Sequence, residues 1–266
     1  MKQTLTIILL LMSLILSCNR PDTDGNDYNQ VNTEPEKDKV IDEPTYKTYI
    51  LNGDAKLKAK RYKEAEKEYN KAIKMNPKSL TAFNKRGYVR ILLRDYEGAL
   101  EDFEKSMEID IGNADAFYNR GLLKIDTGDL YGAIDDLNRV IILKERDANA
   151  YNLRGYAKYN QERYNEAITD YTIAIELNKN HIDAYFNRGN ARDKIKEYWG
   201  AIFDYTTVSK LDPKNIFAYL SRGIIKEKIK DYDGAIADFN TALKISSDLG
   251  IELDPKYKKF LEVTEK

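Results

Sequence analysis

Gly53, Gly87, Gly121, Gly155, Gly189 and Gly223 stand 34 residues apart, and Ala65, Ala99, Ala133, Ala167, Ala201 and Ala235 keep the same spacing. A third series, aromatic in every copy, falls four residues before each glycine: Tyr49, Phe83, Phe117, Tyr151, Tyr185 and Tyr219. Three series sharing one period mean that residues 46–249 are a single unit written six times. A unit of this length cannot bury its apolar face alone, so the copies must stack, each resting on its neighbours.

Within a copy, Ala167, Tyr171 and Ala174 show the spacing that places three side chains on one face of a helix. In the stretch before it, the aromatic and the glycine also share a helix face, and the missing glycine side chain admits a close neighbour. Glycine costs about 1 kcal/mol inside a helix, so packing must offset it. Segments such as Arg94-Asp95-Tyr96-Glu97-Gly98 and Lys230-Asp231-Tyr232-Asp233-Gly234 carry turn-forming residues between the two stretches. The copies run 46–79, 80–113, 114–147, 148–181, 182–215 and 216–249. This 34-residue helix-turn-helix, with Asn76-Pro77 and Asp212-Pro213 closing two copies, resembles the tetratricopeptide repeat. Ile111, Glu145, Lys179 and Ser247 replace the closing proline in the other four copies. The resemblance implies an all-α, right-handed solenoid.

The family commonly has leucine just before the glycine. Five copies here have Arg86, Arg120, Arg154, Arg188 and Arg222 instead, and the same five have Asp102, Asp136, Asp170, Asp204 and Asp238 sixteen residues later. The first copy has Asn52 and Glu68, so it lacks both members. The matched register points to structural ion pairs, since the planar guanidinium fork suits a bidentate carboxylate contact between packed helices. A ladder of anion-binding arginines is the alternative.

Outside the repeats the chain changes character. Lys2 precedes an uncharged run from Gln3 to Ser17 that is short for a membrane span and suits a signal peptide over residues 1–17. Its end, Ile15-Leu16-Ser17-Cys18, resembles the lipobox of bacterial lipoproteins, which implies cleavage before Cys18, lipidation of that residue and a place in the bacterial cell envelope, on the periplasmic or the surface-exposed face. Cys18 is the sole cysteine, so no internal disulfide competes for it. Residues 19–45 carry Pro21, Pro35, Pro44 and eight acids against three bases, with few apolar residues. With the lipidated cysteine, this makes 18–45 a disordered acidic tether with a reach of about 30 Å. Residues 250–266 read as a capping helix, with Tyr257, Phe260 and Leu261 on one face.

Composition narrows the function. The 43 bases and 44 acids nearly cancel, which gives no electrostatic case for nucleic acid. No metal-ligand spacing, nucleophile elbow or phosphate loop appears, so neither a cofactor nor a catalytic centre is expected. His181, the single histidine, falls at a repeat junction and reads as a surface turn residue. Family resemblance implies a concave groove lined by the first helices and occupied by a protein or peptide partner. By position that groove includes Asn84, Tyr88, Tyr118, Asn119, Asn152, Tyr156, Phe186, Asn187 and Asn190. Asparagine and aromatic side chains together suit an extended peptide backbone, although some of these asparagines can instead bond to neighbouring helices. Asp115 and Asp183 stand where members that clamp a terminal carboxylate need bases, so that mode is excluded by repulsion. The expected function is therefore a membrane-tethered adaptor, with binding of envelope glycan or peptidoglycan as the alternative. Trp199, the single tryptophan, either forms a second contact patch or packs on the adjacent hairpin tip.

Overall fold

The computed structural model describes residues 45–253, which contain twelve α-helices. In order they are α1 (Tyr46–Lys58), α2 (Tyr62–Met75), α3 (Leu80–Leu92), α4 (Tyr96–Ile109), α5 (Ala114–Thr127), α6 (Leu130–Leu143), α7 (Ala148–Asn160), α8 (Tyr164–Leu177), α9 (Ile182–Lys194), α10 (Tyr198–Leu211), α11 (Ile216–Lys228) and α12 (Tyr232–Asp248). Each odd-numbered helix packs on the even-numbered helix that follows it, and each even-numbered helix packs on the next hairpin. The result is an all-α solenoid. The leader, Cys18 and the acidic segment lie outside the described residues, as does the apolar face of the expected capping helix. Within that stretch residues 251–253 are not helical, although Leu253 packs on the last hairpin.

Local chemistry sets the helix boundaries. Thr45, Ser79, Asn113, Asp147, His181 and Asn215 each cap a first helix by accepting a hydrogen bond from its first turn. The residue ending each interhelical turn has a left-handed backbone: Lys60, Arg94, Gly128, Glu162, Lys196 and Lys230. Only the third copy uses glycine there. Of the expected turn segments, Arg94 and Lys230 lie in the turn, whereas the residues from Tyr96 and from Tyr232 onward already belong to the second helices. Asp95, Asp129 and Asp231 cap the second helices by accepting from Gly98, Gly132 and Gly234, and a Cβ on Gly98 would lie 2.4 Å from the Asp95 carboxylate. Where the cap position holds Arg61 or Arg163, glutamate replaces glycine and receives the arginine, at 2.6 Å for Arg61–Glu64.

The periodic small residues are explained by close approach. All six alanines of the series are completely buried. The helical glycines make room for a large side chain sixteen residues on, from the same hairpin's second helix: a Cβ on Gly53 would sit 2.4 Å from the Tyr69 ring, and one on Gly87 2.5 Å from Phe103. Gly121 faces the smaller Leu137, where the corresponding approach is 3.2 Å.

Candidate functional site on the first helices

The Arg/Asp series forms a ladder inside the hairpins. Arg188 donates from Nη2 and Nε to the two Asp204 oxygens at 2.7 and 3.1 Å, and Arg154 meets Asp170 in the same bidentate way at 2.7 and 2.9 Å. Arg86, Arg120 and Arg222 hold Asp102, Asp136 and Asp238 likewise. The remaining donor reaches back to the preceding hairpin, where Asn70, Asn138, Thr172 and Thr206 receive Arg86, Arg154, Arg188 and Arg222. Each guanidinium also lies over the aromatic ring three residues earlier, as Arg154 does over Tyr151 at 5.3 Å.

Sequence reasoning missed a second cation. Arg90, Lys124, Lys158, Arg192 and Lys226, one turn after the first arginine, pair with the same aspartates. Their 34-residue spacing was visible, but nothing in it distinguished them from solvated surface bases. Burial pushes the Asp102 carboxyl above its ordinary value, although Arg86 and Arg90 pull it down. Each of the five guanidinium forks is thus occupied by a protein carboxylate.

The first helices, the expected lining of the groove, lie side by side from α1 to α9. The nine expected groove residues separate here. Asn84 and Asn152 are buried and bond to neighbouring segments, Asn84 donating to Asn113 and Asn152 accepting from Asn187. Asn190 accepts from the Tyr205 hydroxyl at 2.8 Å, and Phe186 packs on the Tyr205 ring with centroids 5.6 Å apart. Tyr88, Tyr118, Asn119, Tyr156 and Asn187 are partly exposed. Helical spacing adds Leu122 and Asp126 to Asp115 and Asn119 on one face of α5, and Asn149, Leu153 and Asn160 to Tyr156 on the matching face of α7. Burial raises the Asp126 carboxyl, with Arg94 opposing the shift. Asp115 is bound by Lys144 at 2.7 Å.

Two isolated residues take different places from those anticipated. His181 is not a surface turn residue: it is buried as the cap of α9, its Nδ1 accepting from the Ala184 amide. Trp199 does not pack on a hairpin tip, being 75% exposed on α10 one turn from Phe203, which is 62% exposed. Among the described residues, no group of three or more His, Cys, Asp or Glu side chains could hold a metal, and no helix is long and apolar enough to cross a membrane.

Comparison with known proteins agrees with this geometry. Two tetratricopeptide-repeat families match, over residues 50–114 and 218–249, and a third, described as a TPR repeat, matches residues 155–196. A crystal structure of MamA is 28% identical, with a TM-score of 0.58, covering 62% of this chain and 96% of its own. PilF of Pseudomonas aeruginosa is 19% identical, with a TM-score of 0.69, covering 83% of this chain and 97% of its own. YrrB, described as a TPR protein with an unusual peptide-binding site, is 20% identical, with a TM-score of 0.55, covering 68% of this chain and 93% of its own. A search of curated proteins finds no match.

Proposed function

Since the chain is a tetratricopeptide-repeat protein, we propose that it is a non-catalytic scaffold, held at a bacterial envelope membrane through Cys18, which binds an extended protein segment along the first helices of repeats two to five. One observation carries the reading. The side chains that recur in all six copies are used up in packing and those that recur in five in the Arg/Asp ladder, whereas the outer face of α5 and α7 varies from copy to copy and mixes polar, aromatic and leucine side chains. Asparagine amides there can match a peptide backbone, and Tyr118 and Tyr156 supply contact area at low entropic cost. Asp115 and Asp183 stand where a clamp for a terminal carboxylate would need bases, which disfavours a segment ending in a free carboxylate.

The test is capture of crosslinked partners from membranes, with the Tyr118→Ala/Asn119→Ala double variant as the comparison. Removing two groove contacts should weaken binding about tenfold, on the scale of about 1.4 kcal/mol per decade, with helicity unchanged. Undiminished capture would move the site off this face. Cys18→Ala should release the protein from the membrane while leaving the groove competent.

A further inference from the structure

The charge of the solenoid is unevenly distributed. Residues 46–79 carry ten bases against four acids, whereas residues 80–249 carry 25 bases against 28 acids. All four acids of the first hairpin are already engaged: Asp54 with Lys85, Glu64 with Arg61, Glu66 with Arg90 and Glu68 with Lys71. Two of these neutralise cations of the second hairpin, which leaves the first hairpin's own lysines in excess.

Those lysines are ordered by helical geometry. Lys63, Lys67, Lys71 and Lys74 of α2 are all exposed, and at 100° per residue they fall within about 80° of arc. The arc points directly away from the buried side formed by Ala65, Tyr69 and Ala72. Lys60 and Lys78, in the turns before and after the helix, are exposed as well. Among the described residues no carboxylate lies within 4.0 Å of the Lys60, Lys63, Lys67, Lys74 or Lys78 ammonium groups. In the second hairpin the same register holds Glu97, Glu101, Lys105 and Glu108, so the basic face ends at the first hairpin.

We infer that this lysine stripe is a docking surface for an anionic lipid bilayer. Its form fits that partner. A row about 17 Å long, at 1.5 Å rise per residue, meets a plane of headgroups without demanding any fixed spacing. Lysine ammonium groups are compact, strongly hydrated point charges that suit mobile headgroups, whereas rigid bidentate recognition would call for arginine. No aromatic residue falls on the arc of α2 that carries the stripe, and the one ring beside it, Tyr49, is covered by the Lys71 ammonium at 5.4 Å, which disfavours base stacking and single-stranded nucleic acid. The acids of residues 22–43 are spread along the chain, while the stripe concentrates charge on one rigid face within a Debye length of about 8 Å. Lipid attachment is strengthened by a second, electrostatic signal, and each lysine near an anionic surface contributes a comparable increment. The inference does not need a lipidated Cys18, because the affinity resides in the folded hairpin.

Cosedimentation of the full chain with vesicles tests it. Phosphatidylcholine vesicles are compared with vesicles that also contain phosphatidylglycerol, at low and high salt. Phosphatidylglycerol should raise the affinity at low salt, and Lys63→Glu/Lys67→Glu/Lys71→Glu/Lys74→Glu should abolish that gain, a loss on the order of a hundredfold. A control with Lys194→Glu/Lys196→Glu/Lys210→Glu/Lys214→Glu changes net charge equally and should retain most of the gain. Equal loss in both variants would show a response to net charge alone and overturn the assignment. So would an unchanged gain in the stripe variant, or displacement of the vesicles by polyglutamate at equivalent charge, which would make the stripe a dock for acidic protein. Cys18→Ala leaves the phosphatidylglycerol-dependent gain intact, which separates this surface from the anchor.

Discussion

Tyr171 occupies the fully buried register that Tyr69, Phe103, Leu137, Tyr205 and Phe239 fill in the other hairpins. Its ring lies against Gly155, where a Cβ would come within 2.8 Å, but its hydroxyl has no hydrogen-bond partner among the described residues. The Tyr69 and Tyr205 hydroxyls, by contrast, donate to Asp54 and Asn190, each at 2.8 Å. A buried hydroxyl without a partner costs about 1–3 kcal/mol, and replacing it by hydrogen keeps the ring contact. Tyr171→Phe is therefore predicted to stabilise the protein by about 1 kcal/mol. Tyr205→Phe should destabilise it by a similar amount, because Asn190 loses its donor. In urea unfolding with a slope of about 2 kcal/mol/M, these changes move the midpoint by about 0.5 M in opposite directions with the slope unchanged. Alkali supplies an independent reading. Burial raises both phenols well above the ordinary tyrosine value, so their contribution is complete below about pH 10 and is lost as the pH climbs through the folded-state value. The wild-type midpoint should fall above about pH 10, and fall less in Tyr171→Phe. If Tyr171→Phe proved as damaging as Tyr205→Phe, the account of this register would be refuted.

Two further predictions concern the ladder and the glycines. Asp204→Ala strands Arg188 and Arg192 around a site where the aspartate side chain is fully buried, and should cost about 3–5 kcal/mol in chemical unfolding, whereas Glu166→Ala at the exposed Arg163 pair should leave the midpoint nearly unchanged. Gly87→Ala drives a methyl into the Phe103 ring and should destabilise by about 1–3 kcal/mol, whereas Gly121→Ala meets Leu137 at 3.2 Å and, helped by better helix propensity, should be close to neutral in the same assay.

The fold was legible because the period constrained every copy at once. The Arg/Asp register of 86 with 102 placed two side chains together with no structural information. What escaped was local. Lys60, Glu162 and Lys196 adopt a left-handed backbone that their residue types do not announce, whereas Arg94 and Lys230, which share it, stand at the head of the recognisable Asp-Tyr-x-Gly segments. The candidate site was legible only in part. Asn84, Asn152 and Tyr156 look equivalent as polar or aromatic groove residues, yet the first two are buried by contacts with Asn113 and Asn187 that depend on how neighbouring hairpins are set against each other. The lysine stripe was visible as letters, but its meaning required knowing which arc of α2 faces outward.

The backward reach of the guanidinium groups gives the array a direction. Arg86, Arg154, Arg188 and Arg222 each take an acceptor from the hairpin made before their own, never from the one made after. During synthesis from the amino terminus, the second, fourth, fifth and sixth hairpins thus each arrive at a finished edge that already presents the acceptor for their arginine. Trimming hairpins from the carboxyl end leaves each surviving arginine satisfied. Trimming from the amino end takes the backward acceptor from Arg86 when the first hairpin goes, and from Arg154, Arg188 and Arg222 when the third, fourth and fifth go, so by this contact an early stop leaves fewer unmet donors than a late start.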